Sequence, residues 1–272
     1  MAIVIKNVQD IEYMRISCKL AAEVLDYIVP FVEPGVTTNQ LDKLCHDYIF
    51  NVQHAVPSPL NYPNPNPSGP AYPKSICTSV NSEICHGIPS DKPLKDGDIV
   101  NIDVTVYKNG YHGDTSRMFY VGTHVSQHAK RLCQVTYECM WLGINQVMPG
   151  GYLGDIGAVI QQYAEKNGYS VVQEFCGHGV GKVFHEEPQV LHYGRKGSGA
   201  QLLPGMIFTI EPMINQGRRQ VRFLGNGWTA VTKDRSLSAQ WEHSVLVTDT
   251  GYEVLTISPN MPTPPGFIKS LA

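Results

Sequence analysis

The sequence predicts an α+β fold of two similar halves, each a pair of helices followed by strands, rather than a doubly wound parallel sheet. Three observations carry this expectation. A helical pattern, a V-x-P-G break and a second helical pattern occur twice along the chain. Residues 94–103 reappear as residues 202–211, with Gly97, Ile99, Ile102 and Asp103 matched by Gly205, Ile207, Ile210 and Glu211. Residues 101–114 read NIDVTVYKNGYHGD, a two-faced strand running into a hairpin turn.

Residues 10–29 set Ile11, Met14, Ile16, Leu20, Ala21, Val24, Leu25 and Ile28 at three- and four-residue steps, an amphipathic helix ending near Pro30. Val32-Glu33-Pro34-Gly35 interrupts it. Thr37 or Thr38 can cap the next helix, which buries Leu41, Leu44, Tyr48 and Ile49. Val147-Met148-Pro149-Gly150 repeats the break, and Ile156, Val159 and Tyr163 follow at the spacing of Leu41, Leu44 and Tyr48. One domain over residues 1–272 is expected, with halves at about 10–125 and 126–258. Prolines at 57, 59, 63, 65, 67, 70 and 73 make residues 57–73 a loop biased to extended conformations, and the tail 259–272 is expected to pack loosely.

With Asn109-Gly110 as a two-residue turn, Lys108 faces Tyr111, Thr105 pairs with Asp114 and Asp103 with Ser116. Asp103 and Asp114 then become diagonal neighbours on one face. Alone, such a pair is more often two solvated aspartates on an exposed sheet. The repeat changes the balance: Asp114 opens DTSRMFYVG as Glu242 opens EHSVLVTDTG, and Asp103 corresponds to Glu211. Two-fold register would gather Asp103, Asp114, Glu211 and Glu242 at the centre of one sheet, where unpaired carboxylates are costly unless cations lie between them.

Composition excludes several classes. The formal charge of −3 gives no reason to expect nucleic acid or an anionic membrane as the main partner, and the cluster Arg218, Arg219 and Arg222 reads as a solvated strand or loop. The seven cysteines show no C-x-x-C spacing, so reduced thiols in a cytosol are expected rather than a disulfide framework or zinc knuckle. No segment reads as a signal or membrane span.

Cys176-Gly177-His178-Gly179-Val180-Gly181 surrounds an imidazole with glycines, which suits a histidine aimed into a site. His185 in VFHEEP and His86 in ICHGIP each stand in an apolar stretch ending in proline. Singly, each is more often structural than catalytic. Together, four carboxylates and a histidine are too many hard ligands for structural zinc, and suit two adjacent cations of the manganese, iron(II) or cobalt type, about 3.5–4 Å apart in known sites. The implied chemistry is metal-assisted hydrolysis, in which a bridging water becomes hydroxide near neutral pH.

SVNSEICHGIP, LKDGDIVNIDVTVYKNGYHGDTSRMFYVG, CGHGVGKVFHEEPQV, GMIFTIEPM and TKDRSLSAQWEHSVLVT resemble methionine aminopeptidases of the short type I group, over nearly the whole chain. The resemblance implies the pita-bread fold, whose pseudo-symmetry agrees with the repeat. It assigns metal ligation to Asp103, Asp114, His178, Glu211 and Glu242. It gives His86 and His185 hydrogen-bonding catalytic roles, and Glu211 the further task of handling the proton of the nucleophilic water. The family's methionine pocket maps to Tyr72, Cys77, Phe184 and Trp228, with Pro59 and Tyr62 beside them, residue types that suit a thioether. The segment between Tyr62 and Tyr72 is longer than the family's usual connection. A monovalent cation near Asn81 and Ser238 is implied by resemblance only.

The expected activity is removal of the initiator methionine from nascent chains when the second residue is small. Expected partners are nascent N-termini, with transient ribosome association, in a cytoplasmic monomer. An X-Pro aminopeptidase or prolidase is the nearest rival, but such proteins generally carry a further N-terminal domain that this sequence is not expected to have. A non-catalytic binding module would have lost ligands, and none is missing. The short spacing from Glu211 to Glu242 fits type I rather than type II.

Overall fold

The computed structural model describes residues 2–268; Met1 and residues 269–272, the end of the expected tail, lie outside them. Among the described residues two pairs of α-helices are each followed by strands, in the expected order. Helix α1 (Val8–Ile28) is closed at its start by a capping box between Asn7 and Asp10, and α2 (Thr38–Asp47) by one between Thr37 and Gln40. Beyond the sequence expectation, α2 continues into a π turn at Tyr48–Val52. The second pair is α3 (Gln127–Ile144) and α4 (Leu153–Lys166).

Residues matched in sequence make matched local contacts. At the two breaks Gly35 and Gly150 adopt positive φ, 93° and 84°, and donate to the carbonyls of Leu94 and Leu202 at 2.8 and 2.9 Å. Gly97 and Gly205 donate to Val121 and Val247, each at 2.9 Å.

The hairpin Ile99–Lys108 with Tyr111–Tyr120 keeps the register counted from the turn, with Lys108 opposite Tyr111, Thr105 opposite Asp114 and Asp103 opposite Ser116. Asn109 and Gly110 both take positive φ, 53° and 88°. The alternation separates two tasks. Val100, Ile102, Val104 and Val106 pack under α1 and α2 against Val24, Leu25 and Leu41, each burial contributing about 1.5–3 kcal/mol. Asn101, Asp103 and Thr105 take the opposite face. In the second half, Leu132, Met140, Ile156 and Ile160 of α3 and α4 cover Phe208, Ile210 and Val245.

The second-half strands break where their acids sit. Ile207–Ile210 pairs with His243–Val247, and Met213–Asn215 with Ser238–Gln240. Glu211 and Glu242 fall between these paired pieces. The freed backbone reaches the first half instead: Glu242 N–H donates to Ser116 O at 3.2 Å, and Thr115 Oγ1 donates to Glu242 O at 2.8 Å. Ser244 Oγ donates to Asp114 O at 2.8 Å. The two hairpins are thus fastened together at the acids.

Residues 57–73 form a loop, although Val56–Pro57 makes a two-residue edge pairing with Tyr107 and Val106, a position where proline's missing N–H does no harm. The loop's base closes through Tyr72 N–H to Tyr62 O at 2.9 Å. No helix among the described residues is long and apolar enough to cross a membrane.

Gly113 sets how closely α1 approaches the hairpin. A Cβ there would lie 2.1 Å from the Ser17 carbonyl carbon and 2.2 Å from the Cys18 nitrogen, both backbone atoms. Gly113→Ala should therefore lower the stability measured by urea unfolding by about 1–3 kcal/mol, through overpacking that forces α1 outward.

Candidate active site

The acids, the three singled-out histidines and the aromatic residues all line one cavity of about 400 Å³. Asp114 and Glu242 are buried and His178 half-buried, and these three offer ligand atoms within 4.8 Å of one another. His178 Nε2 lies 3.5 Å from Asp114 Oδ2 and 3.7 Å from Glu211 Oε1. Asp103, opposite Cys77 in the neighbouring strand Cys77–Val80, lines the same cavity. The sequence-predicted ligands are therefore brought to one place.

Hydrogen bonds orient each group. His178 Nδ1 lies 3.0 Å from Gly179 O; a carbonyl only accepts, so Nδ1 carries a proton and Nε2 is the nitrogen turned toward the carboxylates. Thr105 Oγ1 donates to Asp114 Oδ1 at 2.7 Å, and Thr209 Oγ1 to Glu211 Oε1 at 2.7 Å. Gln240 Nε2 donates to Glu211 Oε2 at 3.1 Å, and Glu211 N–H donates to the wholly buried His192 at 3.1 Å. The hairpin count had already set Thr105 opposite Asp114, and sequence reasoning missed the other three supports. Two of those had a readable signal: Thr209 and Gln240 stand two residues before Glu211 and Glu242, hence on the same faces.

The electrostatics are those of crowded acids. Asp103 and Glu242 are pushed well above the carboxylate range, first by burial and then by Asp114 and Glu211. Burial raises Glu211 to about 7, against the opposing pull of His178. For His178 burial favours the neutral form, yet its contact with Asp114 and the charge of Glu211 leave its pKa raised. Three carboxylates that resist ionisation beside an imidazole nitrogen turned toward them are a donor set that fits hard or borderline divalent ions.

His86 and His185 stand differently. Burial first, then His178, lowers His86 to about 4; its ring meets Phe175 and Trp228 edge-on, with centroids 5.4 and 6.3 Å away. His185 is open to the cavity, and its Nδ1 lies 2.7 Å from the Tyr62 hydroxyl. Its pKa too is depressed, by desolvation and by His178.

The cavity's apolar wall contains every residue expected there. Tyr72, Cys77 and Trp228 form a buried cluster with Tyr62 against it, and Pro59 and Phe184 also line the cavity. The rings of Tyr72 and Trp228 meet edge to face at 5.2 Å, and those of Tyr62 and Phe184 at 5.0 Å. The long loop takes part: Trp228 Nε1 donates to Pro70 O at 2.8 Å, Asn64 Nδ2 to Gly227 O at 3.1 Å, and Pro65 reaches the cavity. Glu174, Phe175 and Met213 also line the cavity without having been singled out in sequence, as does Cys176 from the motif around His178. Asn81 and Ser238 lie together apart from this cavity, with Ser238 N–H donating to Asn81 O at 2.8 Å. The Asn81 side chain is engaged with Asp98 and the Ile99 N–H.

Comparison with known proteins agrees with this geometry. Residues 12–249 match the pattern of metallopeptidase family M24. The chain is 56% identical over 258 residues to a methionine aminopeptidase of Escherichia coli K12, covering 94% of this chain and 95% of that one. It matches the crystal structure of methionine aminopeptidase from Rickettsia prowazekii at a TM-score of 0.90 and 54% identity, covering 94% of this chain and 100% of that one. A prolidase from Pyrococcus furiosus is similar in fold alone, at a TM-score of 0.70 and 21% identity, and this chain covers 66% of it.

The raised carboxylates give a signed prediction for metal-free protein. A carboxyl whose folded pKa exceeds its unfolded value stabilises the fold below the unfolded pKa and loses that contribution as pH rises through the folded one. For Glu211 the window runs from 4.5 to about 7. With chelator present, thermal melts should show stability falling across this window relative to metal-loaded protein, and Glu211→Gln should flatten the fall.

Proposed function

The chain belongs to metallopeptidase family M24 and, within it, to the methionine aminopeptidases, and from that premise we propose that it removes the initiator methionine from nascent proteins when the second residue is small. The observation that carries the reading is the meeting of Asp114, His178 and Glu242 at one end of a cavity whose other wall is Tyr72, Cys77 and Trp228. Charge-bearing ligands beside a thioether-sized apolar pocket suit a peptide held by its first side chain, with the scissile amide at the ligands. The two halves are read as pseudo-symmetric copies sharing a central antiparallel sheet, supported by the matched contacts of Gly97 with Val121 and Gly205 with Val247.

As an M24 metallopeptidase the protein uses divalent metal. Our assignment is two ions of the manganese, iron(II) or cobalt type, held by Asp103, Asp114, His178, Glu211 and Glu242, with a monovalent cation near Asn81 and Ser238. The chemistry such ions supply when bound is acidification of a coordinated water and polarisation of the scissile carbonyl. The chain does the rest. Tyr72, Cys77, Phe184 and Trp228, with Tyr62 and Pro59, enclose the methionine side chain and exclude water from it. Glu211 takes the proton of the attacking water and passes it to the departing amine. His185, held neutral with Nδ1 on Tyr62, offers its other ring nitrogen as an N–H to the oxyanion. His86, also neutral, serves the scissile amide nitrogen. The partners are nascent N-termini reached at the ribosome, in the cytoplasm, by a monomer.

The deciding experiment compares Met-Ala-Ser with Ala-Pro-Ala in manganese, cobalt or iron(II). Met-Ala-Ser should be cleaved and Ala-Pro-Ala spared; the reverse preference would make the protein an X-Pro aminopeptidase. Asp103→Asn should weaken metal binding by calorimetry and leave little turnover, because it keeps a ligand's volume and removes its charge. His185→Ala should retain full metal content and lose about 10²–10³ in kcat, as expected for one preorganised oxyanion donor. Trp228→Ala should relax the preference for methionine over norleucine and leucine, read as kcat/KM ratios, since such pockets discriminate by only about 1–3 kcal/mol per methylene.

A further inference from the structure

The geometry points to Lys6 as a positioning residue for the loop that carries Phe184 and His185. Its side chain is buried, 3% exposed, and pairs with the Glu186 carboxylate, 8% exposed, 180 positions further along the chain. A lysine is seldom this enclosed, and a buried ion pair contributes little net stability compared with apolar residues of the same volume. What it fixes is geometry. Glu186 Oε2 takes the Lys6 ammonium while Oε1 accepts the Val183 N–H at 3.1 Å, so one carboxylate braces both ends of the short arc holding Phe184 and His185.

The surrounding backbone is shaped for this contact. A Cβ on Gly181 would come within 2.7 Å of Glu186 Oε1 and of Lys6 Cε and Nζ, so the absence of a side chain there makes room for the pair. Lys6 is itself anchored: its N–H donates to Gly205 O at 2.8 Å, and a Cβ on Gly205 would lie 2.8 Å from Lys6 O. Gly205 turns the chain into Ile207–Ile210, which leads directly to Glu211. Lys6 therefore sets the His185 loop in register with the strand that delivers Glu211. It touches neither substrate nor metal ligand, and acts through Glu186.

The inference rests on the role proposed above for His185. Its test uses metal-loaded full chains: wild type, Lys6→Met, Lys6→Met with Glu186→Gln, His185→Ala, and Lys6→Met with His185→Ala. For each, kcat and KM on Met-Ala-Ser, bound manganese and melting temperature are measured. Lys6→Met should lose about ten- to a hundredfold in kcat, the scale of a small misplacement of a catalytic group, with KM and metal content unchanged. Adding Glu186→Gln removes the stranded charge and should restore the melting temperature without restoring kcat. In the His185→Ala background, Lys6→Met should cost no further rate. Wild-type kcat in the Lys6→Met, Glu186→Gln variant would make the pair merely structural. An undiminished effect of Lys6→Met on top of His185→Ala would separate Lys6 from His185 and overturn the inference. Normal turnover by His185→Ala alone would instead remove the role of His185, a failure of the parent reading visible without any Lys6 variant.

Discussion

Four carboxylates from two hairpins share one enclosed site, and their repulsion is the constraint to which the rest of the structure answers. Like charges in a desolvated site cannot all ionise without a counter-charge, and Asp103, Glu211 and Glu242 all resist ionisation here. The side chains at the centre therefore do not hold the halves together. The cohesion comes from backbone and hydroxyl contacts directly beneath them, where Glu242 meets Ser116 and Thr115, and Ser244 meets Asp114. Thr209 and Gln240 each donate to a Glu211 carboxylate oxygen, which favours the charged form that a cation needs.

The same constraint explains how sharply the first hairpin is specified. Its valines and Ile102 must face α1 and α2 while Asp103 and Thr105 face the opposite way, and a one-residue slip would exchange the two sets. Two local devices prevent the slip. Asn109 and Gly110 accept the positive φ values of a two-residue turn, which fixes pairing from the loop outward. Gly113 lets α1 rest directly on the strand, and any side chain there would hold the helix away.

What could be read from sequence follows the range of the interactions. The cap of α2 at Thr37, the hairpin register and the positive φ of Asn109 and Gly110 depend on neighbours a few residues apart, and each was legible. The gathering of the acids was legible for a different reason: the chain states the same local pattern twice, so Glu211 and Glu242 could be placed by analogy with Asp103 and Asp114. Supports that cross the fold without repeating were not. Residues 57–73 read clearly as a loop, but nothing local indicates that Pro70 accepts the Trp228 indole N–H or that Asn64 bonds to Gly227. His192 lies in an ordinary strand exit and meets Glu211 only after folding. Thr209 and Gln240 fall between these cases, since strand periodicity puts them on the acids' faces without saying that they bond.

The three site histidines illustrate why position in a motif is less informative than the partner of one ring nitrogen. In sequence His178 stands among glycines, and His86 and His185 in apolar stretches that end in proline. In the fold, Gly179 O accepts from Nδ1 of His178, and Nε2 faces the carboxylates, which is the arrangement of a ligand. Tyr62 occupies Nδ1 of His185, leaving the other nitrogen available to the cavity, while His86 is held edge-on between Phe175 and Trp228. Desolvation and the nearby His178 keep both His86 and His185 neutral. Neutrality matters because cations seated among the acids would repel an imidazolium, whereas a neutral ring can stand beside them and still offer one N–H. The rings of His178 and His185 differ in what meets Nδ1: the Gly179 carbonyl at His178 can only accept, whereas the Tyr62 hydroxyl at His185 can also donate and so leave the proton on the other nitrogen.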